Sequence, residues 1–379
     1  MHPQYAQHLI ERLWQRKNVW SRLGWLALTP ASMGFAALVR GRNALYNRGY
    51  FSTTQAPLNV ISVGNLTVGG TGKTPMTLWL AQALQARGYR VGILTRGYKG
   101  TKTDLTVVGT AGTPLVTPDE VGDEAVMMAR RFPGVVIAGR DRVAAAVRAH
   151  DEFALDVAIL DDGFQYRRLR RDVDILLVSA QANNNRWVLP AGPFREPVSA
   201  ARRADVIVRT KRPTAADQTA TFPRIGDEAV PVFSGDLVPT AFMNVENGRW
   251  YQHSLAAVAE QRVLALIGIA APASFYQMLH EWNAIITEVL EFPDHHHYTH
   301  ADWQHITQLS KKCDFIVTTE KDLVKLERFP FAAGRLLALR VDMHVEPAAP
   351  FLEAIEQRFR YRKKDPDTYG STLSDSGNH

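Results

Sequence analysis

The chain has 379 residues, 46% of them apolar, which is enough for two ordinary domains or one large α/β unit and excludes disorder for its bulk. Its 44 Lys+Arg against 38 Asp+Glu leave a net charge of +6. All of that excess lies in residues 1–50, where seven basic side chains (Arg12, Arg16, Lys17, Arg22, Arg40, Arg42 and Arg48) face one acid, Glu11, so the remainder is formally neutral.

No recognition-helix or finger pattern accompanies the basic end, so nucleic acid is disfavoured as its partner. The single cysteine, Cys313, excludes a disulfide framework and a cysteine-ligated zinc site. Met1–Trp20 is polar and charged and does not read as a secretory signal, which makes a cytosolic protein the default expectation.

The first predicted element is the uncharged stretch Leu23–Val39, bracketed by Arg22 and Arg40 with Trp20 and Trp25 at its near edge. Its 17 residues are at the lower limit for a membrane span, and Pro30 interrupts it. An interfacial segment fits best, with apolar side chains among lipid headgroups and arginines on anionic lipid; a docked core helix and a true span are the alternatives. We assign residues 1–56 to this membrane-associated part.

From Leu58 the chain alternates β-branched runs with helical spacing. NVISVGN (59–65), RVGILTRG (90–97), GVVIAG (134–139), DVAILDD (156–162), VDILLVSA (173–180) and ADVIVRT (204–210) read as strands. Helical spacing occupies 73–87, 120–131 and 141–150. Near-continuous apolar strands imply a sheet covered on both faces, so residues 57–212 form a doubly wound, mostly parallel α/β sheet. A break follows at Arg212–Val230. A pair of antiparallel strands is expected in 230–245, and the α/β pattern returns at 262–275, 285–292, 315–319 and 336–341, giving a second, smaller lobe over 213–361. The polar stretch 362–379 reads as a disordered tail.

The strongest motif is TVGGTGKT, between a strand and a helix. Thr67, Val68, Gly69, Gly70, Thr71, Gly72, Lys73 and Thr74 make a phosphate-binding loop: backbone N–H groups face phosphate oxygens, Lys73 reaches the β/γ-phosphates and Thr74 is a Mg²⁺ ligand. Thr67 stands where the first glycine of that pattern is expected. Asp161 and Asp162 close an apolar strand, where a Walker B acid holds the Mg²⁺ shell. The loop lacks the lysine of partitioning ATPases, and TTEKD (318–322) has the wrong order for a GTPase base-reading motif. TTEKD reads equally as a helix cap or as a segment near the nucleotide. Arg168, Arg170 and Arg171 read as a solvated or headgroup-facing set rather than a catalytic one. Arg96 and Tyr98 follow a strand's C-terminal end, where sheet ligands bind. Adjacent histidines on one loop cannot all face one ion, so a zinc site at His295–His297 is rejected.

Together with the loop, GDEA (122–125), GRDR (139–142), DDGFQ (161–165), LPAGPFREP (189–197) and FPDH (292–295) resemble the tetraacyldisaccharide 4′-kinase (lipid A 4′-kinase) family, in order from Asn65 to about Leu326. The resemblance implies ATP rather than GTP, with transfer of its γ-phosphate to the 4′-hydroxyl of a tetraacyldisaccharide 1-phosphate at the cytosolic face of a bacterial inner membrane. It implies Asp123 as catalytic base with His295 as its partner, Arg142 and Arg195 as cations for the moving phosphoryl group, and Glu196 as a further metal-side acid. Tyr166 follows DDGFQ where the family often has histidine. Rival readings are a P-loop kinase of a soluble acceptor and a nucleotide-switched binding ATPase. No oligomeric state is implied.

Overall fold

The computed structural model describes residues 10, 13–14, 18–179, 185–210, 230–269, 272–332 and 334–360. The expected tail, the basic residues Arg12, Arg16 and Lys17 and, apart from Val230, the break at Arg212–Val230 lie outside the described residues.

One sheet runs through the molecule. Its centre is β1 (Asn59–Asn65), flanked in parallel by β6 (Val157–Asp161) and β7 (Val173–Ser179). Beyond β6 come β2 (Val91–Thr95) and β5 (Val135–Ala138), both parallel. A short antiparallel hairpin, β3 (Thr106–Thr110) and β4 (Thr113–Pro114), closes that edge. Every residue of β1, β2, β6 and β7 is buried, as unbroken apolar runs require when helices cover both faces. Met76, Leu80 and Leu84 of α2 (Lys73–Ala86) fill one face, with Ile61, Ile159 and Ile175; Ala145 and Ala149 of α5 (Arg142–Phe153) fill the other, with Val60 and Leu160.

On the other side of β7 lies β8 (Val206–Thr210), and β9 (Val232–Glu246) pairs with it in parallel. The antiparallel pair expected in 230–245 is instead one 15-residue strand. It pairs antiparallel with β14 (Leu336–Glu346) and folds back through Asn247-Gly248 into β10 (Arg249–His253). Both turn residues have positive φ, which the twist of a two-residue hairpin favours. Past β14 come β13 (Phe315–Thr319), β11 (Arg262–Ile267) and the edge strand β12 (Ile285–Glu291), all parallel. Phe275 and Leu279 of α6 (Ala273–Glu281) pack with Val263 on one face of these strands, and Ile306 of α7 (His300–Leu309) packs with Leu264 on the other. The smaller lobe thus continues the main sheet through β9 and β14.

The N-terminal stretch is a single helix, α1 (Val19–Asn47), begun by a capping box between Asn18 and Ser21. Pro30 does not interrupt it. Pro30 lies on the exposed side of the helix, as does Leu26 one turn before it. The inner stripe of Ser21, Ser32, Ala36 and Val39 is buried. Ser32 Oγ donates to the Val188 carbonyl at 2.7 Å, and Trp25 meets Trp187 edge-on. The outer stripe of Trp20, Leu23, Leu26, Met33 and Leu38 is exposed, and only 17% of the most apolar window is buried. The helix is both docked along one face and bare along the other.

Candidate active site

The phosphate loop leaves the buried end of β1 and is held from three sides. Asn65 Nδ2 donates to Thr71 Oγ1 at 2.8 Å, and Thr210 Oγ1 donates to the Thr71 carbonyl at 3.1 Å. The Val68 N–H donates to the Pro193 carbonyl at 2.8 Å. Thr67, the residue in place of the usual glycine, forms an antiparallel bridge with Phe194. That backbone is extended, so it needs no glycine. Gly72 has φ 84, which an L side chain resists, and it turns the chain into α2 at Lys73.

Asp161 and Asp162 emerge at the end of β6, beside that helix. Asp161 is buried and accepts from Thr77 Oγ1 at 3.0 Å. Burial and the neighbouring carboxylates of Glu124 and Asp162 push it up to about 7. Asp162 accepts from Arg195 Nη1 with both oxygens, at 2.8 and 2.9 Å, and lies 3.8 Å from Lys73 Nζ. Burial would raise Asp162, but Lys73 and Arg195 outweigh it and hold it low.

Arg142 starts α5 just below. It is buried, its Nη2 donates to the Asp161 carbonyl at 3.4 Å, and its Nη1 has no hydrogen-bond partner among the described residues. Burial lowers the guanidinium to about 10, against the pull of Asp161 and Asp162. Tyr166 accepts from the Arg142 backbone N–H at 3.2 Å, so it orders the start of this helix.

Asp123 begins α4 (Asp123–Arg131). The helical spacing over 120–131 is broken at Gly122 into α4 and a short turn, α3 (Pro118–Val121). Gly122 has φ 89, and a Cβ there would meet the Tyr98 carbonyl at 2.2 Å. The TRGYKG loop therefore packs directly on the turn that aims Asp123. His295, from the FPDH segment of the smaller lobe, meets Asp123 with Nδ1 at 2.8 Å from Oδ1 and 3.1 Å from Oδ2. The Tyr98 ring lies edge-on to the imidazole with centroids 5.4 Å apart. The three histidines diverge: His296 pairs with Asp302 and stacks on Phe292, while His297 pairs with Asp119.

Two residues of this cluster were not singled out in the sequence, Lys321 and Lys325 of α8 (Glu320–Leu326). Lys325 Nζ lies 3.2 Å from Asp123 Oδ2 and 3.0 Å from Asp322. Lys321 Nζ donates to Asp294 at 2.7 Å and to His295 Nε2 at 3.1 Å, and pairs with Glu124 at 3.4 Å. Burial would raise Asp123, but the hydrogen bond from His295 and the charges of Lys321 and Lys325 outweigh it and hold the carboxyl well below the usual range. Lys321 lies in the TTEKD segment, and Lys325 follows it at i+4 on the same helix face. Thr319 also caps α8, accepting from the Asp322 N–H, which is the helix-cap reading of that segment.

Glu124 joins the two groups, pairing with Lys321 on one side and acting on the buried Asp161 on the other. Glu196 is directed elsewhere. Its buried carboxylate accepts from Arg203 at 2.9 and 3.2 Å and from Asn43 of α1 at 2.8 Å, with Arg42 at 3.7 Å. Arg195 and Glu196 thus face opposite ways, one to the phosphate loop's acid and the other to the N-terminal helix. Arg171 pairs with Asp174 in the protein, while Arg168 is exposed. A pocket of about 380 Å³ reaches Lys325 and Tyr298 from the far side, between Thr117, Arg130 and Arg328, and includes no phosphate-loop residue.

A family described as "Tetraacyldisaccharide-1-P 4'-kinase" (LpxK) matches residues 24–360. The chain is similar to the tetraacyldisaccharide 4'-kinase of Syntrophus aciditrophicus, 39% identical over 86% of this chain and 91% of that one. It is similar to the same enzyme of Anaeromyxobacter sp. strain K, 38% identical over 91% and 94%. A crystal structure of Aquifex aeolicus LpxK in complex with ATP matches with a TM-score of 0.74 and 30% identity, covering 88% of this chain and 99% of that one.

Proposed function

The chain belongs to the tetraacyldisaccharide 4′-kinase family and is an ATP-dependent kinase of the 4′-hydroxyl of a tetraacyldisaccharide 1-phosphate, giving the 1,4′-bisphosphate; we propose that Asp123 and His295 accept the hydroxyl proton. The observation that carries this is the convergence of two clusters from different lobes: phosphate loop with Asp162 and Arg195, and Asp123 with His295, joined through Glu124.

The acceptor oxygen forms its bond to the γ-phosphorus while the bond to the ADP bridging oxygen breaks, and the hydroxyl proton passes to the Asp123–His295 pair. The hydrogen bond from His295 and the charges of Lys321 and Lys325 favour the ionised carboxylate of Asp123, the form that accepts a proton. A carboxylate held that low is a weak base, so the transfer comes late, as the new P–O bond makes the hydroxyl acidic. Lys73, Arg142 and Arg195 offset charge developing on the transferred group. The unpaired Nη1 of buried Arg142 supports that role, since a desolvated donor without a partner awaits an anion.

Thr74, Asp161 and Asp162 would hold Mg²⁺. The fit rests on Asp161, whose carboxyl is pushed up by burial and by two neighbouring acids and would be relieved by a cation. Bound there, Mg²⁺ supplies positive charge to the β- and γ-phosphate oxygens. Glu196 stands apart from that cluster, because its contacts run to Arg203, Asn43 and Arg42 and, among the described residues, none joins it to Asp161, Asp162 or Lys73. We read it as the anchor of α1.

An acceptor carrying acyl chains lies in a bilayer, and the bare stripe of α1 with Arg22 and Arg40 supports seating of the enzyme on an anionic membrane at the cytoplasmic face. ATP turnover with and without acylated disaccharide phosphate in detergent tests the reading. A lipid kinase is nearly silent until acceptor is added, whereas a nucleotide switch hydrolyses ATP alone.

A further inference from the structure

The imidazole of His295 is held at both nitrogens by groups with opposite hydrogen-bonding capacity. On one side Asp123, an ionised carboxylate, can only accept, so Nδ1 carries the hydrogen of the 2.8 Å contact. On the other side Lys321 Nζ lies 3.1 Å from Nε2. An ammonium can only donate, so Nε2 must present its lone pair. Lys321 stays an ammonium here: burial would lower it, but Glu124, Asp123 and Asp294 outweigh that and raise it. The two contacts leave one tautomer, neutral, with hydrogen on Nδ1 and none on Nε2.

We propose that Lys321 is a positioning residue for phosphoryl transfer, which fixes His295 in the Nδ1–H tautomer and keeps a second proton off the Asp123–His295 pair. The proposal rests on the reading of that pair as proton acceptor. Without the ammonium, Nε2 would face Asp294, whose Oδ2 lies 3.8 Å away, and a protonated imidazole would bridge two carboxylates. The pair would then start the reaction already carrying the proton it is meant to receive. Lys321 prevents this, and its own alternative partners, Asp294 at 2.7 Å and Glu124 at 3.4 Å, let it leave Nε2 without losing its charge pairing.

The surroundings are consistent on every side. From the smaller lobe Lys325 adds a second positive charge on Asp123. From the TRGYKG loop the Tyr98 ring covers the imidazole, and Lys99 Nζ donates to the Asp294 carbonyl at 3.4 Å. His295 itself has φ 62, a left-handed backbone that points its ring back between the lobes.

The test uses full-length enzyme with ATP, Mg²⁺ and acylated disaccharide phosphate in detergent. In Lys321→Met the acid limb of kcat/KM moves to higher pH by about one unit, the scale of losing one adjacent partly solvated charge. In Lys321→Arg, which keeps charge and donor, the limb stays with the parent. An unmoved limb in Lys321→Met, with activity reduced alike at all pH values, would leave only a structural role and overturn the proposal. Nitrogen-15 NMR of histidine-labelled parent enzyme, with His295 assigned by comparison with His295→Gln, gives a readout independent of turnover and of the Lys321 variants. At pH 7 the ring shows Nδ1–H with a bare Nε2; an Nε2–H or doubly protonated ring refutes it. Failure of the acceptor reading appears separately, as wild-type transfer by Asp123→Asn.

Discussion

The imidazole of His295 and the carboxylate of Asp123 stand 172 positions apart in the chain and meet at 2.8 Å across the junction of the two lobes. Each is aimed by its own backbone device, the Gly122 turn at φ 89 for Asp123 and a left-handed residue at φ 62 for His295. The contact therefore exists only when both lobes are folded and docked. α4 and α8 secure that docking with further ion pairs, Arg130 to Glu327 and buried Arg131 to Glu320.

Asp123→Asn lowers kcat by about 10²- to 10⁴-fold with ATP affinity retained, the range for loss of a general base. Isothermal titration with a non-hydrolysable ATP analogue and steady-state kinetics separate the two effects.

Asp123 also links stability to acid. Its folded-state carboxyl is held below its unfolded value, so its contribution is full above the unfolded value and is lost as pH falls through the folded one. Stability therefore declines below about pH 4. Urea unfolding shows a shallower decline there in Asp123→Asn, which is less stable at pH 7 because Lys325 has lost one of its two carboxylates and His295 its charged acceptor.

Arg142→Lys keeps a positive charge but removes the second guanidinium nitrogen that lacks a partner. Turnover falls by about 10²-fold, the scale of losing one preorganised donor to a developing charge. A rapid-quench measurement of the chemical step shows the loss there and not in product release.

Glu196→Ala leaves the half-buried Arg203 guanidinium without its buried bidentate partner and frees Asn43 of α1. Breaking a buried pair from one side costs about 3 kcal/mol or more, so Tm falls by several degrees. Mg²⁺ dependence of the rate stays near that of the parent, in contrast to Asp161→Asn, where it shifts to higher metal concentration.

Replacing Leu23 and Leu26 together by Glu strips the exposed stripe of α1 without touching its docked face. Each apolar side chain contributes about 1.5–3 kcal/mol when buried, so sedimentation with anionic vesicles weakens by about 10-fold or more. Raised salt weakens parent binding as well, by screening Arg22, Arg40 and Arg48.

The parallel sheet was legible because its strands are unbroken apolar runs, and the strand over Asn59–Asn65 matches its observed limits. The hairpin Thr106–Pro114 was not, since short edge strands of Thr, Val and Gly carry no run and no alternation. Individual acids and bases were recognisable by motif, but the partners of Glu196 were not. A carboxylate next to Arg195 in sequence looks like part of the same site, whereas neighbouring side chains on extended backbone point to opposite sides. Lys321 and Lys325 were hidden for a related reason: their meaning depends on a contact between lobes, which no local pattern encodes.

Transfer of label from γ-³²P-labelled ATP to tetraacyldisaccharide 1-phosphate, followed in mixed micelles with parent and Asp123→Asn, tests the central claim most directly. Label is expected on the 4′-oxygen with the parent, one ADP per lipid phosphorylated, and almost no labelled lipid with Asp123→Asn despite intact ATP binding. ATP consumption by the parent at an equal rate without acceptor, or undiminished labelling by the variant, would contradict it.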